Sequence, residues 1–166
     1  MEPLTEQEIR AAFVNCTKGE AKRLSVPRDL AEQPWDDLDY LGWRDPQAPD
    51  RAYLVTEGTD GRPRAIAMRG SGPAFGQTRR SMCSMCLTTH SGGGVSLMVA
   101  PKAGKAGQQG NSVGAYICSD LACSLYVRGK RDAGMGARLH ETIPLEEKIR
   151  RTVANVAAFV AKVGTA

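Results

Sequence analysis

Aromatic side chains are scarce in this 166-residue chain: three Phe, two Trp and four Tyr make up 5% of it. A core with so few large rings is modest, and a second device is needed to hold it together. Histidine is scarcer still, with His90 and His140 the only two. His140-Glu141 runs on to Pro144 without the second His of a zincin helix, so hydrolytic zinc chemistry is poorly supported. Gly104-Lys105 lacks the glycine spacing of a phosphate-cradling P-loop. No apolar run approaches the roughly 18 residues of a membrane helix. The opening Met1-Glu2-Pro3-Leu4-Thr5-Glu6 is acidic where a secretory leader would be basic and then apolar. A soluble cytoplasmic protein without a membrane partner is expected. In that compartment its five Cys are read as reduced thiols or metal ligands and not as a disulfide framework.

What the chain does contain is Gly (18) and Pro (9), with 42% hydrophobic and 24% charged residues, the balance of a loop-rich globular domain. The length suits a single domain over 1–166. It divides into a helix and wrapped acidic segment over 1–50, strands and a cysteine-rich region over 51–138, and a C-terminal helix over 139–166. Thr5-Glu6-Gln7-Glu8 has the form of a capping box, and Ile9, Ala12, Phe13 and Cys16 follow at helical spacing, predicting a helix over about 6–17 with Cys16 on its buried stripe. Residues 27–50 interleave four Pro with Trp35, Leu38, Tyr40, Leu41 and Trp43, the pattern of a turn-rich segment pinned by isolated large side chains. Asp36, Asp37 and Asp39 within it are read as a solvated acidic run. Tyr53 to Thr56 and Ala65 to Met68 flank Asp60-Gly61 and predict a hairpin. Val95 to Ala100 and Val113 to Cys118 predict a second pair around 101–110, where Gly and Lys suggest a mobile basic loop. After Pro144, Leu145, Ile149, Val153, Val156, Val160 and Val163 mark an amphipathic helix.

The formal charge of +4 is unevenly spread. Residues 1–61 carry seven Lys/Arg against thirteen Asp/Glu, whereas 62–138 carry eleven against two. Such a basic stretch favours an anionic partner, either phosphate or an acidic protein face. A basic surface that only keeps the chain soluble is the plainer alternative. Phe75, Tyr116 and Tyr126 are the only aromatics in the stretch, which argues mildly against base stacking on RNA.

Four of the thiols form two pairs, Cys83-x2-Cys86 and Cys118-x4-Cys123, with 31 residues between them. Two such pairs complete the tetrahedral four-thiolate shell that one Zn2+ favours, with bonds of about 2.3 Å. A closed thiolate shell leaves no position for substrate, so its role is structural. The order knuckle, strand, basic loop, strand, then a helix from Asp120 to about Lys130 is that of a treble clef, and the helix amino end would favour thiolates. His90 is read as a surface group or one standing behind the ligands. Arg79 and Arg80 either balance the anionic cluster or bind a partner. The competing redox reading of Cys83 and Cys86 is weakened because Leu87-Thr88-Thr89-His90-Ser91-Gly92-Gly93-Gly94 does not look helical. The expected architecture is α+β, a treble-clef-type four-cysteine zinc finger embedded in antiparallel strands between N- and C-terminal helices.

Asp37-Leu38-Asp39-Tyr40-Leu41-Gly42-Trp43, the Cys83-x2-Cys86 knuckle and Gly114-Ala115-Tyr116-Ile117-Cys118-Ser119-Asp120-Leu121-Ala122-Cys123 together resemble the treble-clef zinc-finger domain of elongation factor G-binding proteins, the fusidic-acid-resistance type. The resemblance covers roughly residues 5–160. It implies a non-enzymatic protein that binds elongation factor G and promotes its release from the ribosome, including when fusidic acid has trapped it; a monomer is expected. It also implies Zn2+ on Cys83, Cys86, Cys118 and Cys123, and a partner surface near Tyr116, Arg128, Lys130 and Arg131. The ribosome or its RNA is a further implied contact, and an RNA-binding zinc finger is the alternative function. The resistance proteins carry an additional helical bundle ahead of the finger domain, where this chain has one short helix.

Overall fold

The structure is a computed structural model that describes residues 1–73, 80–134 and 141–164, with residues 71–73 as backbone only. Phe75, Arg79 and His140 lie outside the described residues. The Thr5 capping box forms as the sequence predicts: the Glu8 N–H donates to Thr5 Oγ1 (3.3 Å), and Glu8 Oε2 accepts from the Thr5 N–H (2.8 Å). Helix α1, Glu6–Ala12, is shorter than the expected 6–17. It stops because Phe13 turns extended and bridges to Ala65, with the Val14 N–H donating to the Ala65 carbonyl. A second capping box, Thr17 with Glu20, then opens helix α2, Lys18–Arg23. Cys16 therefore sits between two helices, half-buried, and not on a buried stripe.

Two short 3-10 turns, Leu30–Glu32 and Trp35–Asp37, carry the chain across the sheet as the wrapped segment predicts. Trp35 and Trp43 anchor it by donating their indole N–H groups to Leu30 and Ser25 carbonyls. Within that segment the structure adds strand β1, Tyr40–Asp45, which pairs with β2, Ala48–Glu57. Strand β2 and β3, Pro63–Pro73, form the expected hairpin, and Gly61 takes φ +71 at its turn.

Strands β4, Ser81–Met82, and β5, Thr89–His90, form a separate two-stranded ribbon. Strand β6, Val95–Pro101, pairs with β7, Ser112–Cys118, as expected. The intervening residues are not an unstructured loop: Gly104–Gln108 form helix α3, tied down by Lys102 N–H to Asn111 O and Ala103 N–H to Val163 O. Helix α4 spans only Cys123–Val127, not the expected 120 to 130, and α5 spans Leu145–Gly164.

The main sheet is antiparallel in the order β1-β2-β3-β6-β7. Side chains alternate between its faces, so each face has its own core. Leu41, Trp43, Tyr53, Val55 and Ala65 meet Ile9, Ala12, Leu24, Trp35 and Leu38 on one side. On the other, Tyr40, Leu54, Ile66, Met98 and Ile117 meet the four paired cysteines and Val156, Phe159, Val160 and Val163 of α5. Leu145 and Val153, expected on the packed stripe of α5, are exposed, and Thr152 and Phe159 are buried instead.

Candidate metal centre

Cys83 and Cys86 lie in the turn between β4 and β5, where the Cys83 N–H donates to Thr88 O, the Leu87 N–H to Cys83 O, and the Met85 N–H to Cys83 Sγ (3.3 Å). Cys118 is the last residue of β7, and Cys123 is the first of α4. The two turns share a device that the sequence does not advertise. Leu87 and Leu121 both take left-handed backbone, φ +57 and +60, conformations usually left to glycine. The Leu121 N–H closes its turn on Cys118 O (2.8 Å), and the Leu121 side chain is buried. Gly42 of β1 lies beneath it: a Cβ there would come within 2.6 Å of Leu121 Cβ and 3.2 Å of its carbonyl oxygen.

Further bonds fix the two pairs relative to one another. The Ser84 N–H donates to Tyr116 O (2.7 Å), joining the knuckle to the outer edge of β7, and Asn155 of α5 donates to Met85 O (2.9 Å). The Ser119 N–H donates to Gly94 O and its hydroxyl to Gly93 O. All four sulfurs are buried and lie within 4.8 Å of one another, with 3.6 Å between Cys83 and Cys123 and between Cys86 and Cys118. The edge of a tetrahedron with Zn–S bonds of about 2.3 Å is about 3.8 Å, so these separations are those of ligands around one ion. The electrostatics agree. Neighbouring thiols that donate to Cys83 hold it well below the ordinary thiol value, whereas neighbouring sulfurs push Cys118 up and burial pushes Cys123 up. Such a cluster cannot carry four thiolates without a cation to balance them.

The surroundings suit a loaded thiolate cluster. His90 is buried, with Nε2 3.2 Å from Cys118 Sγ, and burial lowers its pKa, so the neutral ring can donate Nε2–H to the sulfur. Its ring stands edge-on to Tyr126 at 4.6 Å. Tyr40 buries its hydroxyl against Cys123 with no oxygen or nitrogen partner, and a thiolate there supplies the missing acceptor. Of the two places the sequence allowed His90, the structure takes the one behind the ligands. Tyr40, read from the sequence only as a large side chain pinning the wrapped segment, meets a partner 83 positions further along the chain. Among the described residues the four cysteines are the one group of ligating side chains placed to hold a metal.

Around this centre three basic residues are ion-paired within the chain. Arg128 forms a two-pronged pair with Asp39 (2.7 and 2.8 Å), both largely buried. Lys130 pairs with Asp37 (2.7 Å). Arg131 pairs with Asp120 (3.1 Å), which also accepts from the Tyr126 hydroxyl and the Ala122 N–H. Asp37 and Asp39 are thus ion-paired and not merely solvated; Asp36 is exposed, as is Arg80. Tyr116 on β7 is 39% exposed.

These features define an α+β zinc-finger protein with one four-cysteine centre that holds a structural Zn2+. The model of the FBP C-terminal treble-clef zinc-finger family matches residues 8–163, and the chain belongs to that family. No curated protein matched. Among solved structures the chain is similar in fold to the fusidic acid resistance protein FusC, with a TM-score of 0.61 at 17% identity over 98% of this chain. The match spans 60% of the FusC chain.

Proposed function

We propose that the chain is a non-catalytic adaptor that binds elongation factor G through the zinc-finger side of the molecule and promotes its release from the ribosome, including when fusidic acid has trapped it. The observation that carries this reading is the likeness in fold of nearly the whole chain to a fusidic acid resistance protein, alongside its membership of the treble-clef zinc-finger family. The closed four-thiolate shell supports a binding role over a catalytic one, since no coordination position remains for a substrate. Tyr116, Lys130 and Arg131 are the proposed contacts on the exposed side of the finger. Arg128 contributes by fixing α4 to the wrapped segment through Asp39. The RNA-binding alternative is the weaker reading, because Phe75, Tyr116 and Tyr126 are the only aromatic side chains in the basic stretch on which bases could stack.

Calorimetric titration of the zinc-loaded protein into purified elongation factor G tests this reading. Saturable binding is expected, weakened about tenfold in Tyr116→Ala as for a contact central to an interface. No heat at tens of micromolar protein, together with steeply salt-dependent binding to ribosomal RNA, would contradict it.

A further inference from the structure

On the sheet face opposite the metal, a cleft of about 890 Å³ opens between α2, one end of the β2–β3 hairpin and the β6–β7 end. Arg51 and Arg69 are direct cross-strand partners in β2 and β3, so both guanidinium groups project on the same side into this cleft. Like charges placed directly opposite in a sheet repel, a cost that Arg51 offsets only in part by donating to the Tyr53 hydroxyl and Arg69 by its exposed pair with Asp50. A third guanidinium, Arg23, approaches from the last turn of α2.

The two carboxylates at the rim, Glu20 and Asp50, offset part of this charge but are outnumbered by the three guanidinium groups. Glu20 is turned back into its capping box, accepting from the Thr17 N–H (2.7 Å) and hydroxyl (2.8 Å). Asp50 meets Arg69 at 3.2 Å in a solvent-exposed pair that an incoming anion can open at little cost. Among the described residues neither Arg23 nor Arg51 has a salt-bridge partner.

The walls are preformed. Asn15 spans the gap between strands, donating to Ala67 O and Pro101 O and accepting from the Ala67 N–H. Tyr53 lies buried in the floor, and Leu24, Val99 and Pro101 supply apolar surface. Cys16 also lines the cleft, but burial and the Glu20 charge push its thiol up to about 11, so it is an inert wall and not a nucleophile.

We propose that this cleft is a binding site for a nucleoside di- or triphosphate, with the phosphates held by Arg51, Arg69 and Arg23 and the base against the apolar wall. Planar guanidinium forks match phosphate oxygens in pairs. The volume, near the upper end of the roughly 300–1,000 Å³ of small-molecule sites, far exceeds what a lone phosphate ion fills.

The test is calorimetry on the full zinc-loaded chain with GDP, ADP, inorganic pyrophosphate and guanosine. The site predicts saturable binding of at least one diphosphate, weaker binding of pyrophosphate, none of guanosine, and affinity that falls with added salt. Arg51→Ala and Arg69→Ala should each weaken the diphosphate by about tenfold or more, a loss usual for a hydrogen bond between charged groups. Both side chains are exposed, so the variants should fold, and an unchanged melting temperature checks this. Absence of saturable heat at millimolar nucleotide would overturn the proposal. So would affinities unchanged in both folded variants, or binding of a single-stranded oligonucleotide with none of a mononucleotide.

Discussion

Arg128 and Asp39 stand 89 positions apart in the chain and join in a nearly buried, two-pronged ion pair. Asp39 raises the Arg128 pKa further, so the cation is always present to meet it. Arg128→Ala strands the carboxylate, and the folded state should lose about 3 kcal/mol, measured by urea unfolding with zinc present. Gly42 gives a second test. In Gly42→Ala the new Cβ is forced against the backbone and Cβ of Leu121, at a cost of about 1–3 kcal/mol and with weaker zinc retention in a competition with a chelator. A variant as stable as the parent would show that the Leu121 turn yields freely. At this scale the four ligands were legible because Cys-x2-Cys and Cys-x4-Cys are local patterns. The left-handed turns at Leu87 and Leu121 were not, since glycine is the residue that normally announces such backbone and leucine does not. The direction of Arg128 was equally hidden: only the fold brings Asp39 to it.

Among the elements, the two helices of the N-terminal part show how a periodic pattern misleads. Ile9, Ala12, Phe13 and Cys16 keep helical spacing, yet Phe13 is better used as a strand bridge with its ring edge-on to Tyr53 at 5.9 Å. The interruption was readable after all, because Thr17-Lys18-Gly19-Glu20 repeats the Thr-x-x-Glu form of Thr5 to Glu8. Thr17→Ala should cost about 1 kcal/mol and raise amide exchange in α2 alone. The cap also has a pH signature. Bonds from the Thr17 N–H and hydroxyl hold the Glu20 carboxyl below the ordinary range. Because this pKa is depressed on folding, the stabilisation is complete above the unfolded-state value and disappears as pH falls through the folded one. Exchange at α2 should therefore rise on acidification in the parent and be flat with pH over that window in Glu20→Gln. Strand β1 escaped notice because prolines on both sides masked a six-residue strand, and α3 because Gly and Lys composition conceals the bonds to Asn111 and Val163 that order it.

For the molecule as a whole, the separation of charge along the sequence has a structural meaning that composition could not supply. Asp37 and Asp39 of the acidic part pair with Lys130 and Arg128 of the basic part, so part of the apparent field is neutralised within the fold. The antiparallel pairs and the metal site were legible from spacing, while the division into two cores on opposite sheet faces emerged only from strand order. The metal centre joins the ribbon, β7, α4 and the buried face of α5 through Ser84, Asn155 and the cysteines, none of which a core poor in aromatics could hold as firmly. A structural zinc site contributes on the order of 10 kcal/mol, comparable with the entire stability of such a domain. The most direct measurement is zinc content together with amide exchange of α5 and β7 before and after chelation. One zinc per chain, with protection of both elements lost on its removal and restored on its return, is the predicted result; metal-free protein that keeps the same protection would contradict the account.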